Sequence, residues 1–260
     1  QAFSGYMEMN SFPDRLPIPA FPQPSDYFTG LFGIVGALAA LHRARGTGQG
    51  ESIDIAQYEA MLRCSGFYVC NSLNTGVLPQ REGSHSTSSA GYGAYTCKDG
   101  VALYVLILGA GVVRNALATL GLDINEEPFY DGMGLCGMGT PAGDKLEEAL
   151  ADFFSTHTGT QAEEILLGAG VPCSRIYTFA DCEADPHYQA RESFTEWKNA
   201  YDEGTIRGVN VVPKLKNNPG RIAKGMPLVG QHNEEIRHSL GCDYAEIAAP
   251  YEAGTIRQKT

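Results

Sequence analysis

Asp26 is the acidic residue of the run Pro24-Ser25-Asp26-Tyr27-Phe28-Thr29-Gly30, which opens a segment rich in glycine and alanine. A carboxylate at the mouth of a helix meets backbone N–H groups that have no partner within the helix, at an end that is partly positive. Such a group either caps the helix or takes a catalytic role, and on spacing alone capping is the favoured reading. A second candidate is Ser88-Ser89-Ala90-Gly91-Tyr92-Gly93. It reads as a plain loop, or as one whose bare backbone can approach a ligand carbonyl and donate N–H groups to an oxyanion. A third is the basic loop Lys214-Leu215-Lys216-Asn217-Asn218-Pro219-Gly220-Arg221. Its usual reading is a solvated surface, and its functional one a face for phosphates.

Other chemistries find little support. His42, His85, His157, His187, His232 and His238 show no ligand spacing with cysteine or carboxylate, so no metal site is expected. The chain has no G-x-S-x-G elbow. Gly109-Ala110-Gly111-Val112-Val113-Arg114 follows a strand and opens a helix, but Arg114 stands where a dinucleotide fold needs its third glycine. Gly46-Thr47-Gly48-Gln49-Gly50 comes after a helix and before a strand, the wrong order, and both runs read as turns.

The elements that must position these groups follow from periodicity. Tyr27 to Arg45 reads as a helix, with Leu31, Ile34, Val35, Leu38 and Leu41 forming an inward stripe. A proline-rich loop over 10–25 delivers the chain to it, and Gln1 to Tyr6 read as the middle of a helix, so a longer protein is expected. A short strand over Glu51–Ile55 and a helix over Ala56–Leu73 come next, then an irregular polar stretch over 75–91. Lys98-Asp99-Gly100 predicts a hairpin turn between Gly93–Cys97 and Val101–Leu108. Helices are expected over 110–120, over 141–156 with Thr140 as cap and Pro141 at the first position, and over Gln161–Leu167. Strands are expected over Val171–Phe179, Phe194–Asn199 and Ile206–Val212, and a last helix over Glu234–Leu240. The shift in composition near 75–90 and the Asp185-Pro186 break predict a discontinuous outer module, 1–80 with 185–260, around an inserted module, 81–184.

The 260 residues, 43% hydrophobic and 19% charged, suit an ordinary globular protein with one large or two modest domains. A net charge of −11 speaks against nucleic acid or an anionic membrane as a broad-surface partner. No stretch is expected to be long and apolar enough to span a bilayer. Seven scattered cysteines without C-x-x-C spacing suit free thiols in a reducing compartment, and a cytoplasmic location is expected.

Together, Asp26-Tyr27-Phe28-Thr29-Gly30, the run Gly46-Thr47-Gly48-Gln49-Gly50-Glu51-Ser52-Ile53-Asp54-Ile55 and the run from Met226 to Ile236 resemble the class III CoA-transferases. The stretches Ala190-Arg191-Glu192-Ser193-Phe194, Pro213 to Gly220 and Ser155-Thr156-His157-Thr158 are most similar to the carnitine branch of that family. The resemblance implies an α/β fold: a discontinuous Rossmann-like large domain, incomplete here because the family carries a further N-terminal segment, with a smaller α+β domain inserted. It implies that Asp26 is a nucleophile, forming first an acyl anhydride and then a CoA thioester. Gly91 and Gly93 would belong to a glycine loop over the reacting aspartate. Tyr27 and Tyr92 would be candidates for the face that holds a trimethylammonium group. The expected substrates are CoA or acyl-CoA and a small carboxylic acid, here crotonobetainyl- or γ-butyrobetainyl-CoA and L-carnitine. Another short acid, or a fragment that only binds acyl-CoA, are the alternatives. No tightly bound cofactor or metal is expected, and two interlocked copies are the expected assembly.

Overall fold

The computed structural model describes residues 1–129, 136–199 and 204–256. By contacts the chain divides into two compact units, Gln1–Ile176 and Tyr177–Thr260.

The first unit opens on turns and a short 3-10 helix, Tyr6–Met9, and not on the middle of an α-helix. Gly5 sits at φ +76°, in the left-handed region that breaks a regular helix before it can form. Helix α1 spans Pro24–Thr47, and its first-turn proline gives up no intrahelical hydrogen bond. Its expected inward stripe is not inward: Leu31, Ile34, Val35, Leu38 and Leu41 are 48–64% exposed, and no residue of α1 is buried. The helix packs on α2 and on the segment before it, and glycine and alanine spread round its circumference leave no sharply polar face to mark an outside. By length and composition alone α1 is also apolar enough to cross a membrane, which corrects the expectation that no segment reaches that length.

The strand expected over 51–55 does not form. A strand needs a neighbour for its N–H and C=O groups, and the described chain offers this segment none. Its alternating isoleucines instead lie on α1. A Cβ built on Gly33 would sit 3.5 Å from Ile55 Cδ1, and one on Gly36 would sit 3.4 Å from Ile53 Cγ2. The helix expected over 56–73 is two helices, α2 (Gln57–Cys64) and α3 (Phe67–Thr75). Gly66, at φ +59° and ψ −134°, holds a conformation closed to other residues and separates them. Of the expected apolar face, Met61 is fully buried while Tyr58 and Leu62 remain exposed.

The core of the unit lies between Ala90 and Val171. Strand β1 (Tyr92–Thr96) turns through Asp99-Gly100 into β2 (Ala102–Leu106), with Tyr92 opposite Leu106 and Thr96 opposite Ala102. Gly100 takes the positive φ that the turn requires. Helix α4 (Ala110–Thr119) follows, then α5 (Pro141–Thr156), capped by the Thr140 hydroxyl accepting from Gly143 N as the sequence predicts. Helix α6 (Gly159–Gly168) starts two residues earlier than expected, because Thr158 and Gln161 form a reciprocal capping box. Strand β3 (Cys173–Arg175) completes an antiparallel sheet in the order β1-β2-β3. Leu103, Val105, Leu117, Leu146, Leu150, Phe154 and Leu166 fill the space between this sheet and the three helices.

In the second unit, α7 (Phe179–Ala184) and α8 (Pro186–Ala190) occupy what the sequence leaves as strand end and loop. Thr178 caps the first, and Asp185 caps the second through His187 N at 2.7 Å, so Asp185-Pro186 marks a helix start. Strands β4 (Phe194–Lys198) and β5 (Thr205–Val209) pair antiparallel. The basic loop after them carries no regular element, and Lys214 Nζ donates to the Glu192 carbonyl at 3.0 Å. Helices α9 (Asn233–Ser239) and α10 (Tyr244–Glu252) follow, the latter capped by Asp243 and absent from the sequence reading.

Candidate active site

Asp26 is the third residue of α1 and not its cap. The cap position belongs to Gln23, which makes no side-chain bond to the helix. The Asp26 carboxylate is exposed, and its hydrogen bond runs not to its own backbone but to α2: Gln57 Nε2 donates to Asp26 Oδ1 at 2.6 Å. These residues are 31 apart in the chain. What joins them is the seating of Ile53 and Ile55 over Gly36 and Gly33, which runs the segment back along α1 and sets the first residue of α2 beside the first turn of α1. One carboxylate oxygen, Oδ1, is thereby held, and the exposed carboxylate sits in the first turn of α1, where backbone N–H groups have no partners within the helix. This arrangement can present an ionised oxygen to an electrophile from solvent.

The glycine segment is built differently from a free loop. Gly91 lies at φ +70°, and a Cβ there would come within 2.7 Å of Ile107 Cδ1. Its N–H donates to Glu147 Oε1 at 2.7 Å and its carbonyl accepts from Ile107 N at 2.9 Å. The Gly91 N–H is therefore committed to a side chain of α5 and not held out as an oxyanion donor. Gly93 is a buried residue of β1, opposite Val105, and bridges to His85 on its other side. A Cβ at Gly93 would meet the His85 ring at 2.5 Å and the Ser84 carbonyl at 2.8 Å, which is why the position admits only glycine. Glu147 also accepts from the Tyr95 hydroxyl, at 2.9 and 3.1 Å. Burial, and then the nearby Glu147 carboxylate, push the Tyr95 phenol far above its ordinary range.

Tyr27 follows Asp26 on α1 and is 63% exposed. Tyr92 is half-buried in β1, its ring edge-on to Tyr104 with centroids 6.0 Å apart. Among the described residues, the hydrogen bonds of Asp26 reach Gln57 but not Tyr27, Tyr92, Gly91 or Gly93. The sequence reading missed Gln57 and Glu147. For Gln57 a signal existed, since small residues three apart on α1 match isoleucines two apart before α2. Among the described residues no cluster of three or more His, Cys, Asp or Glu side chains is placed to hold a metal, and no disulfide joins the cysteines.

Residues 1–233 match the model of CoA-transferase family III. A bile acid CoA-transferase of Clostridium scindens is 38% identical over 250 residues, which cover 95% of this chain and 57% of that protein. The chain thus spans little more than half the length of that relative. In fold it is similar to a CaiB/BaiF family protein from Brucella suis, with a TM-score of 0.72 at 23% identity over 92% of this chain and 61% of the other. It is similar as well to Rv3272 from Mycobacterium tuberculosis, with a TM-score of 0.73 at 16% identity over 90% and 61% of the two chains. The α/β architecture described above is shared with these proteins, and the family match runs through both units, so the chain belongs to CoA-transferase family III.

Proposed function

We propose that the full-length protein to which these residues belong transfers CoA reversibly between an acyl-CoA and a carboxylic acid, with Asp26 as the nucleophile. Asp26 Oδ2 attacks the thioester carbonyl, the C–S bond breaks, and CoA leaves as thiolate while an aspartyl acyl anhydride forms. The thiolate then attacks Asp26 Cγ and expels the first acid, leaving an aspartyl-CoA thioester. An acceptor carboxylate enters by the same two steps in reverse and departs as the new acyl-CoA. Acyl activation is kept at each stage, so no ATP is needed, and one hard exchange becomes several easier ones. The observation that carries this reading is an exposed carboxylate in the first turn of a helix, held through one oxygen by a neutral amide. Trapping tests it: incubation with acyl-CoA should leave a covalent adduct on the Asp26 peptide. Asp26→Asn should lose the adduct and at least about a thousandfold in turnover. Undiminished transfer by that variant would overturn the reading.

For the acids, we propose a betainyl-CoA, crotonobetainyl- or γ-butyrobetainyl-CoA, as donor and L-carnitine as acceptor. The motifs of the carnitine branch support this choice, and Tyr27, the next residue along α1 from Asp26, is an exposed aromatic. A second reading, a bile acid as the exchanged acid, is favoured by the Clostridium scindens relative. A panel of carnitine, a bile acid, succinate, formate and oxalate separates them, and no turnover with carnitine would remove the first. Gly91 and Gly93 keep their proposed place near the reacting aspartate, as a fixed entry into β1 and not as a free loop. We place the enzyme in the cytoplasm, which seven cysteines without a disulfide among the described residues support. The apolar faces of α1 are proposed to be covered in an interlocked homodimer of the full-length chain, not by lipid.

A further inference from the structure

We infer that Gln57 is the residue that decides which oxygen of Asp26 reacts, and that it donates to the other one throughout the cycle. The inference rests on Asp26 being the nucleophile proposed above. Gln57 Nε2 donates to Oδ1 at 2.6 Å, so Oδ1 is held and Oδ2 is the oxygen left to attack. The atoms of the cycle then sort themselves. Oδ2 forms the bond to the donor acyl carbon, and when thiolate attacks Cγ the Cγ–Oδ2 bond breaks, so the first acid departs carrying Oδ2. Oδ1 stays on Cγ as carboxylate oxygen, anhydride carbonyl, tetrahedral oxyanion and thioester carbonyl in turn. The acceptor carboxylate supplies the replacement oxygen when its acyl group leaves as the new thioester.

The amide of Gln57 is therefore placed on the one oxygen where negative charge develops when thiolate attacks Cγ, which is the position an oxyanion donor must occupy. It is neutral, so it can donate to the resting carboxylate without pairing away the charge that makes Oδ2 nucleophilic. It is also anchored. Gln57 is the first residue of α2, and the isoleucines before it are seated on glycines of α1, so donor and acceptor are fixed by one packing arrangement. Without such a hold, an aspartate carboxyl turns readily about its terminal torsion and its two oxygens exchange places between turnovers.

The experiment uses the full-length protein, an unlabelled acyl-CoA donor and an acceptor acid carrying heavy oxygen at both carboxyl positions. Mass spectrometry of the Asp26 peptide after many turnovers counts the heavy oxygens retained. The wild type should hold one. Gln57→Ala should turn over about a hundredfold or more slowly, with an acyl-CoA KM within a fewfold of wild type, and should accumulate two. Two heavy oxygens in the wild type, or one in both proteins, would overturn the role of Gln57 while leaving Asp26 as nucleophile. None in a wild type that turns over would remove the nucleophile itself, and with it this inference. Gln57→Glu keeps the reading testable if the alanine variant fails to fold. The introduced carboxyl can donate only when protonated, so activity should rise as pH falls into the carboxyl range, and a pH profile matching wild type would count against the assignment.

Discussion

Helix α5 and helix α1 both place large apolar residues at helical spacing, yet they meet opposite surroundings. On α5, Leu146, Leu150 and Phe154 lie four apart and are at most 2% exposed, against β1 and the flanking helices. On α1 the corresponding stripe remains open, and the isoleucines of the following segment seat instead over its smallest residues, Gly33 and Gly36. The first pattern is that of a finished core, in which each side chain is removed from water and close-packed. The second belongs to a helix whose local role is to seat the segment that carries Gln57. Stability and chemistry are thus assigned to different parts of the same unit: the 90–173 region holds itself together, and α1 with α2 presents the carboxylate.

The contrast breaks most sharply at Phe154. Its ring stacks on Tyr95 with centroids 4.9 Å apart and packs edge-on to Phe153. Phe154→Ala should destabilise the first unit by about 3–5 kcal/mol, from lost burial and the cavity left behind. Chemical denaturation followed by circular dichroism measures this, and a loss below about 1 kcal/mol would mean that the core is not closed there.

Gly91→Ala comes next. The left-handed backbone costs a side chain about 1–3 kcal/mol, and the added methyl meets Ile107, which is buried and cannot yield. A drop of that size, with the far-ultraviolet spectrum retained, would show that the glycine turn belongs to the folded core. A variant as stable as wild type would return it to the class of free loops.

Tyr95→Phe tests the link from that turn to α5. Removing a buried hydroxyl bonded to the Glu147 carboxylate should cost about 1.5–3 kcal/mol at neutral pH. The phenol also has a pH signature. Its pKa is raised in the folded state above the ordinary 10.0, so its contribution is fully present below pH 10 and is lost as pH rises further. The wild type should therefore lose stability more steeply above pH 10 than Tyr95→Phe does. Parallel curves would show that burial beside Glu147 does not govern this tyrosine.

Much of the finished core is legible in the residues, because its signals are local. Asp99-Gly100 fixes the hairpin, Thr140-Pro141 fixes the start of α5, and both act over a few residues. What escapes is whatever depends on a distant partner. The isoleucines of 53–55 alternate like a strand, but alternation says only that two side chains point one way and not what they meet. The short helices α7 and α8 and the final α10 are set by caps at Thr178, Asp185 and Asp243, signals weaker than apolar period. Asp26 was legible as a carboxylate at a helix start. Its amide partner, 31 residues away, was signalled only by the match between small residues on α1 and isoleucines before α2, a pattern that acquires meaning once the two segments are paired.

Leu38→Ala is the smallest expected effect and the most direct probe of the open helix. Leu38 is among the exposed stripe residues of α1, and alanine is at least as good a helix former as leucine. In the 260-residue chain the change should alter stability by no more than about 0.5 kcal/mol, the range of a surface substitution. In the full-length protein the same change should cost about 2–5 kcal/mol if the helix is covered by protein there, because the leucine then joins a core. An equally small effect in both would leave α1 open in the assembled protein. Then the stripe would have to be explained by something other than a second polypeptide surface, and the interlocked assembly proposed for it would lose its physical reason.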